Sequence, residues 1–291
     1  MRFVSFDYRG QTGFGLLSGR FVLDLTGRLA PDVLTLKQAL SRGLLAQSAD
    51  RMGQAPELSL HDLKLLPVIP DPDKIICVGL NYDDHRKESE RPASEYPTIF
   101  TRFADSQVGH NQPMLKPSCS ERFDYEAELA VIIGKCGRNI PEETALDFVA
   151  GYACYNDGSV RDWQRHTSLF TPGKNFPATG GFGPALVTPD EVGDYRSLSI
   201  QLRLNGTVMQ DSHLGNLIFP IEKLIAYCSR FTPLSPGDVI VTGTPGGVGD
   251  RRNPPVYMQD GDSVEVEIGA VGILRNRIEV HETAGTSGKS E

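Results

Sequence analysis

The chain has 291 residues, enough for one large domain or a large domain with a small companion, and either buries a sizeable core. Hydrophobic residues make up 39% and charged residues 23%, with 30 glycines and 20 prolines, a turn-rich composition outside the disordered range. A formal net charge of −8 argues against nucleic acid or an anionic membrane as partner, so a small anionic substrate would need local cations.

In chain order, residues 2–8, 13–17 and 20–24 read as short alternating strands, followed by a helical stretch over 35–45. The passage Pro67-Val68-Ile69-Pro70-Asp71-Pro72 reads as a linker, because proline restricts itself and its predecessor. This divides a small amino-terminal domain, 1–70, from a larger unit, 71–283, and leaves a Gly/Ser/Thr-rich tail, 284–291, expected to fray. Strands are expected at 74–78, 98–102, 125–133, 149–156, 198–204, 207–211, 239–242 and 263–268, with a hairpin turn at Asn205-Gly206. Helices are expected at 141–148, opened by Pro141 with Glu142 and Glu143, and at 220–230. Helices and strands do not alternate, which favours an α+β, mostly β, roll or sandwich over a doubly wound sheet or a barrel.

The amino terminus has no apolar run of signal-peptide length and no later run approaches a membrane span, so a cytoplasmic protein is expected. Cys77, Cys119, Cys136, Cys154 and Cys228 are widely spaced without a CxxC pair, which points to small buried apolar residues and not to disulfides or zinc.

Glu126 and Glu128 carry the strongest chemical signal. Side chains at i and i+2 of a strand share a face, and the run from Leu129 to Ile133 is apolar enough to be core. Two buried carboxylates must protonate, pair or bind a cation. With Asp157, which also follows an apolar stretch, they would form an all-oxygen set suited to Mg2+ or Mn2+. The other reading is an ion-pair network with Arg102, Arg161 or Arg165. His85 and Glu88, three apart after the strand at 74–78, would share one side of a short helix, a carboxylate-oriented imidazole suited to deprotonating water.

Taken together, Gly79-Leu80-Asn81-Tyr82 with His85 and Glu88, Asp124-Tyr125-Glu126-Ala127-Glu128-Leu129, Asn156-Asp157 with Arg161-Asp162-Trp163-Gln164, Gly173-Lys174, Gly183-Pro184 and the run Thr242 to Gly249 resemble the fumarylacetoacetate hydrolase family over roughly residues 70–282. The resemblance implies a mixed β-sandwich roll, usually a homodimer, with Mg2+ or Mn2+ held at Glu126, Glu128 and Asp157. It further implies His85 and Glu88 on a lid-like segment, Lys174 polarising or protonating, and a keto acid substrate contacted by Tyr82, Gln164, Gly243 and Thr244. The implied reaction is hydrolysis of a carbon–carbon bond in an acylpyruvate such as fumarylpyruvate or maleylpyruvate, in aromatic degradation. Oxaloacetate-type decarboxylation or hydroxymuconate-type isomerisation would use the same site, and a non-catalytic binding protein would keep only the fold.

Three departures from the family pattern bear on substrate identity. Arg102 stands where many relatives carry lysine and could grip a distal carboxylate bidentately or pair with a site acid. Asn175-Phe176-Pro177 lacks the usual acidic residue, and Gly158 and Val160 replace the commoner valine and alanine. Elsewhere, His110 could line the pocket, His61, His166, His213 and His281 read as structural, and Trp163 reads as packing.

Overall fold

The computed structural model describes residues 1–51 and 53–281, so the tail expected to fray lies outside the described residues. A 12-stranded mixed sheet dominates the chain. Its central strands are Ala127–Ile133, Val149–Asp157 and Gly180–Val187, each antiparallel to the next. On the other side of Ala127–Ile133 lie Val239–Val241, Ile75–Gly79 and Thr98–Arg102, with Val239–Val241 parallel to Ile75–Gly79. A five-stranded sheet of Thr207–His213, Ser199–Leu204, Ser263–Ile268, Gly272–His281 and Met114–Pro117 forms the second layer.

Strand Ala127–Ile133 is buried on both faces, and its period of two divides the core. Leu129, Val131 and Ile133 pack with Ile200, Leu202, Val264, Val266 and the helix Ile221–Phe231 between the sheets. Ala130 and Ile132 pack the other way, with Phe3, Phe14, Leu36, Phe100 and Phe182. Each fully buried Leu, Ile or Phe contributes about 1.5–3 kcal/mol, so this doubly buried strand is a rigid support. Glu128 continues the Ala130 and Ile132 row.

The residues expected as a separate amino-terminal unit join this architecture directly. Arg2–Tyr8 pairs antiparallel with Gly180–Val187, placing Arg2 opposite Val187 and Phe3 opposite Leu186, so 1–70 extends the main sheet and shares its core. The expected hairpin is present, with Asn205 at φ 52° and Gly206 at φ 79°, the two positive values a type I′ turn requires.

Several local expectations need correction. The helical stretch at 35–45 is the helix Leu36–Ser41, ended by Arg42 and opened by a capping box of Thr35 and Gln38. The stretch at 141–148 is a 3-10 helix, Glu142–Phe148, with Pro141 as its cap. Cys119 and Cys136 are exposed thiols, and only Cys77, Cys154 and Cys228 are buried. Among the described residues no helix is long and apolar enough to cross a membrane.

Candidate metal centre and catalytic cavity

Antiparallel pairing sets Ala127 opposite Asn156 and Glu128 opposite Tyr155, which brings the start of one strand beside the end of the next. Asp157 thereby reaches the two glutamates, and its N–H donates to the Glu126 carbonyl at 2.9 Å. Glu126, Glu128 and Asp157 are all buried, each offering a carboxylate oxygen within 4.8 Å of the others.

Three cations surround this cluster. Lys174, from the short helix Thr171–Lys174, places Nζ 2.5 Å from Glu126 Oε2 and 2.5 Å from Asp157 Oδ2. Arg161, opening the helix Arg161–Gln164, places Nη2 2.8 Å from Glu126 Oε1 and 2.7 Å from Asp124 Oδ2. Arg102 donates from Nη1 to Asp157 Oδ1 at 2.6 Å. Glu126, Asp157 and Asp124 thus have cationic partners, whereas Glu128 accepts the N–H of Gly243.

The proton affinities follow this pairing. Burial pushes Glu126 up, but Lys174 and Arg161 outweigh it and hold the carboxyl well below its ordinary range. Burial, then the charges of Asp157 and Glu126, pushes Glu128 well above the carboxylate range. Burial opposes the Lys174 ammonium, yet Asp157 and Glu126 together raise it. The all-oxygen donor set, with Glu128 left as the uncompensated carboxylate, fits a hard divalent cation such as Mg2+ or Mn2+.

His85 lies on the helix Asp83–Glu88, directly beyond the strand Ile75–Gly79. Its Nδ1 is 2.7 Å from Glu88 Oε1, and Glu88 Oε2 accepts the Gly247 N–H at 2.9 Å. The Gly-rich run therefore holds the orienting carboxylate. Thr244 in that run accepts a 2.8 Å bond from Gln210 Nε2, and Gln210 Oε1 accepts the Ala127 N–H at 2.8 Å.

A cavity of about 440 Å³ joins these groups, lined by His85, Glu126, Glu128, Gln164, Lys174 and Thr244 among others. Of the remaining residues expected to contact substrate, Tyr82, Arg102 and Gly243 do not line it. Tyr82 is fully buried, and burial raises its phenol far above the ordinary value. Arg102 is a partner of Asp157, and Gly243, at φ +103°, orients Glu128. His110 also lies outside the cavity lining, its Nδ1 accepting the Arg275 N–H at 3.1 Å. Trp163 packs edge-on against Phe176, ring centroids 5.1 Å apart.

Three positioning groups were not among the expected site residues, although Asn81 and Asp124 stand inside the quoted motifs. Gln210 ties Thr244 to the strand carrying Glu128, and Asp124 anchors Arg161. Asn81 donates to the carbonyls of Thr242 and Phe219 at 2.7 and 3.1 Å and fixes the exit of the strand before His85. Adjacency to the expected site residues could have marked Asn81 and Asp124, whereas a lone amide beside Val208-Met209 is the only signal for Gln210.

The Fumarylacetoacetate (FAA) hydrolase C-terminal family model matches residues 74–279. The chain belongs to the fumarylacetoacetate hydrolase family. It is 45% identical over 223 residues to a mitochondrial oxaloacetate tautomerase of Xenopus laevis, covering 76% of this chain and 70% of that protein. The fumarylacetoacetate hydrolase structure from Exiguobacterium antarcticum aligns with a TM-score of 0.86 at 34% identity, over 97% of this chain and 100% of that one. Maleylpyruvate hydrolase from Sphingobium sp. SYK-6, solved with manganese(II) and pyruvate, aligns with a TM-score of 0.81 at 28% identity, over 97% of this chain and 100% of that one.

Proposed function

We propose that this family member is a divalent-metal-dependent enzyme that interconverts the keto and enol forms of a 2-oxo dicarboxylate of the oxaloacetate class. The observation that carries the reading is the placement of His85, its imidazole held by Glu88, on the same cavity as Glu126 and Glu128 of the acidic cluster. Identity to an oxaloacetate tautomerase over most of the chain supports it.

In this reading Glu126, Glu128 and Asp157 hold the cation. When bound, the cation supplies Lewis-acid polarisation of the 2-oxo group. His85, its Nδ1 fixed by Glu88, takes the proton from the carbon between the two carbonyl groups through Nε2. The C–H electron pair becomes the carbon–carbon double bond, and the proton held on His85 passes to the former carbonyl oxygen, giving the enol with no change of redox state. Glu88 stabilises the transient imidazolium. Lys174 and Arg161 keep Glu126 ionised and bring positive charge to the cavity floor. Among the described residues lining the cavity, Arg91, Arg161, Arg165, Lys174 and Arg251 outnumber the carboxylates of Glu126, Glu128 and Asp250, an excess of cationic groups suited to a second carboxylate.

The test follows ketonisation of the oxaloacetate enol by its ultraviolet absorbance, with Mn2+ and after chelation. A rate no greater than that of Mn2+ alone would sink the proposal. A second reading, hydrolysis of an acylpyruvate, is favoured by the likeness to a manganese- and pyruvate-bound maleylpyruvate hydrolase. Here the same dyad would activate water, and loss of the diketo absorbance of maleylpyruvate or fumarylpyruvate would reveal it. We include a homodimer in the proposal, tested by light scattering as twice the chain mass.

A further inference from the structure

Arg102 closes the strand Thr98–Arg102 with its guanidinium buried beneath Asp157, away from the cavity lining. Its hydrogen bonds leave little choice of orientation. Nη1 donates to Asp157 Oδ1 at 2.6 Å and to the Gly158 carbonyl at 3.1 Å. Nη2 donates to Thr179 Oγ1 at 2.8 Å, and Nε donates to Ser106 Oγ at 3.2 Å. The two hydroxyls are themselves fixed, Thr179 donating to the Phe176 carbonyl at 2.7 Å and Ser106 to the Phe103 carbonyl at 2.8 Å. Gly180 leaves the space for this arrangement, since a Cβ there would lie 2.8 Å from Nη2 and 2.9 Å from the Tyr155 hydroxyl oxygen.

We infer that Arg102 is a positioning residue that selects which oxygen of Asp157 can ligate a cation. Oδ1 is committed to the guanidinium, and Oδ2, which meets Glu126 across Lys174 Nζ, is the oxygen left facing the cluster. This rests on the metal reading of the acidic cluster. A planar guanidinium with donors in several directions fixes a carboxylate plane, whereas a lysine ammonium would balance the charge without fixing it. Groups hydrogen-bonded to metal ligands commonly control affinity by 10- to 100-fold.

The decisive experiment measures Mn2+ binding to chelator-stripped protein by the electron paramagnetic resonance signal of free Mn2+. Arg102→Lys keeps the charge and loses the cradle, and its affinity is expected to fall about 10- to 100-fold, with a changed spectrum of the bound ion. Thr179→Val keeps the arginine and removes one anchor, and its affinity is expected to fall several-fold. Thermal melting of the stripped proteins shows which variants fold. Mn2+ affinity within twofold of wild type in a folded Arg102→Lys protein would overturn the inference. If that variant does not fold, unchanged affinity in Thr179→Val overturns it. Wild-type protein that binds no Mn2+ would instead remove the metal reading itself, a distinguishable failure.

Discussion

Glu88 grips His85 and the Gly-rich loop at once, one carboxylate oxygen 2.7 Å from the imidazole Nδ1 and the other accepting the Gly247 N–H at 2.9 Å. Glu88→Gln preserves much of the shape but removes the charge that stabilises an imidazolium. The turnover number is expected to fall about 100-fold, in the range of general acid–base effects, with Mn2+ affinity unchanged. Steady-state kinetics paired with Mn2+ titration checks this, and a matching loss of metal binding would contradict the assigned role.

The two strand glutamates should behave oppositely. Glu128, held well above the carboxylate range, must take up a proton when the metal-free chain folds, so Glu128→Gln is expected to stabilise the metal-free protein by about 1–2 kcal/mol, a rise in Tm of roughly 2–4 °C. Glu126 neutralises Lys174 and Arg161, so Glu126→Gln is expected to cost about 3 kcal/mol. Both variants should lose the rise in Tm that Mn2+ gives the wild type. Differential scanning calorimetry with and without chelator reads all four quantities.

Burial, with Arg275 adding, lowers the His110 imidazole from 6.5 to about 4. The unfolded chain therefore binds this proton more readily than the fold, and His110 contributes stability that is complete above pH 6.5 and is lost as pH falls toward 4. His110→Asn retains an acceptor for the Arg275 N–H but cannot titrate. The stability difference between wild type and variant should fall by about 2 kcal/mol between pH 7 and pH 4.5, measured by urea unfolding at each pH.

Arg91 lines the cavity from the segment after the His85 helix. Arg91→Ala is expected to raise KM for a 2-oxo dicarboxylate about 10-fold and leave KM for the monocarboxylic analogue within about twofold, as loss of one charge-assisted contact requires. Equal changes for both substrates would assign the second carboxylate elsewhere.

Gly158 explains one departure from the family pattern. A Cβ there would lie 2.1 Å from the Thr179 carbonyl oxygen and 2.9 Å from Met114 Cε. The chain after Lys174 passes too close for the commoner valine. Gly158→Val is expected to destabilise by about 3 kcal/mol or more, visible as a lowered urea midpoint.

The acidic cluster was legible because a period of two placed Glu126 and Glu128 on one face, and because an apolar row marked that face as interior. Arg102 was legible as unusual but not in role, since its partners Asp157 and Thr179 are distant in sequence and meet it only through strand pairing. Strand Gly180–Val187 escaped notice because Gly180, Gly181 and Gly183 lack the side chains that signal a strand, although close approach by Arg102, Asn276 and His110 accounts for their small size. Strand Gly272–His281 was missed although Leu274, Asn276 and Ile278 alternate inward, because Asn276 interrupts the apolar row with an amide serving the carbonyls of Gly109 and Gln112.

The bond between Arg2–Tyr8 and Gly180–Val187 also governs how this protein can be dissected. A truncation starting near residue 71 would not release a self-contained enzyme. It would bare the main-chain groups at Leu186 and Val187 together with the apolar surface that Phe3 and Phe14 cover, a place on which further chains can add and precipitate.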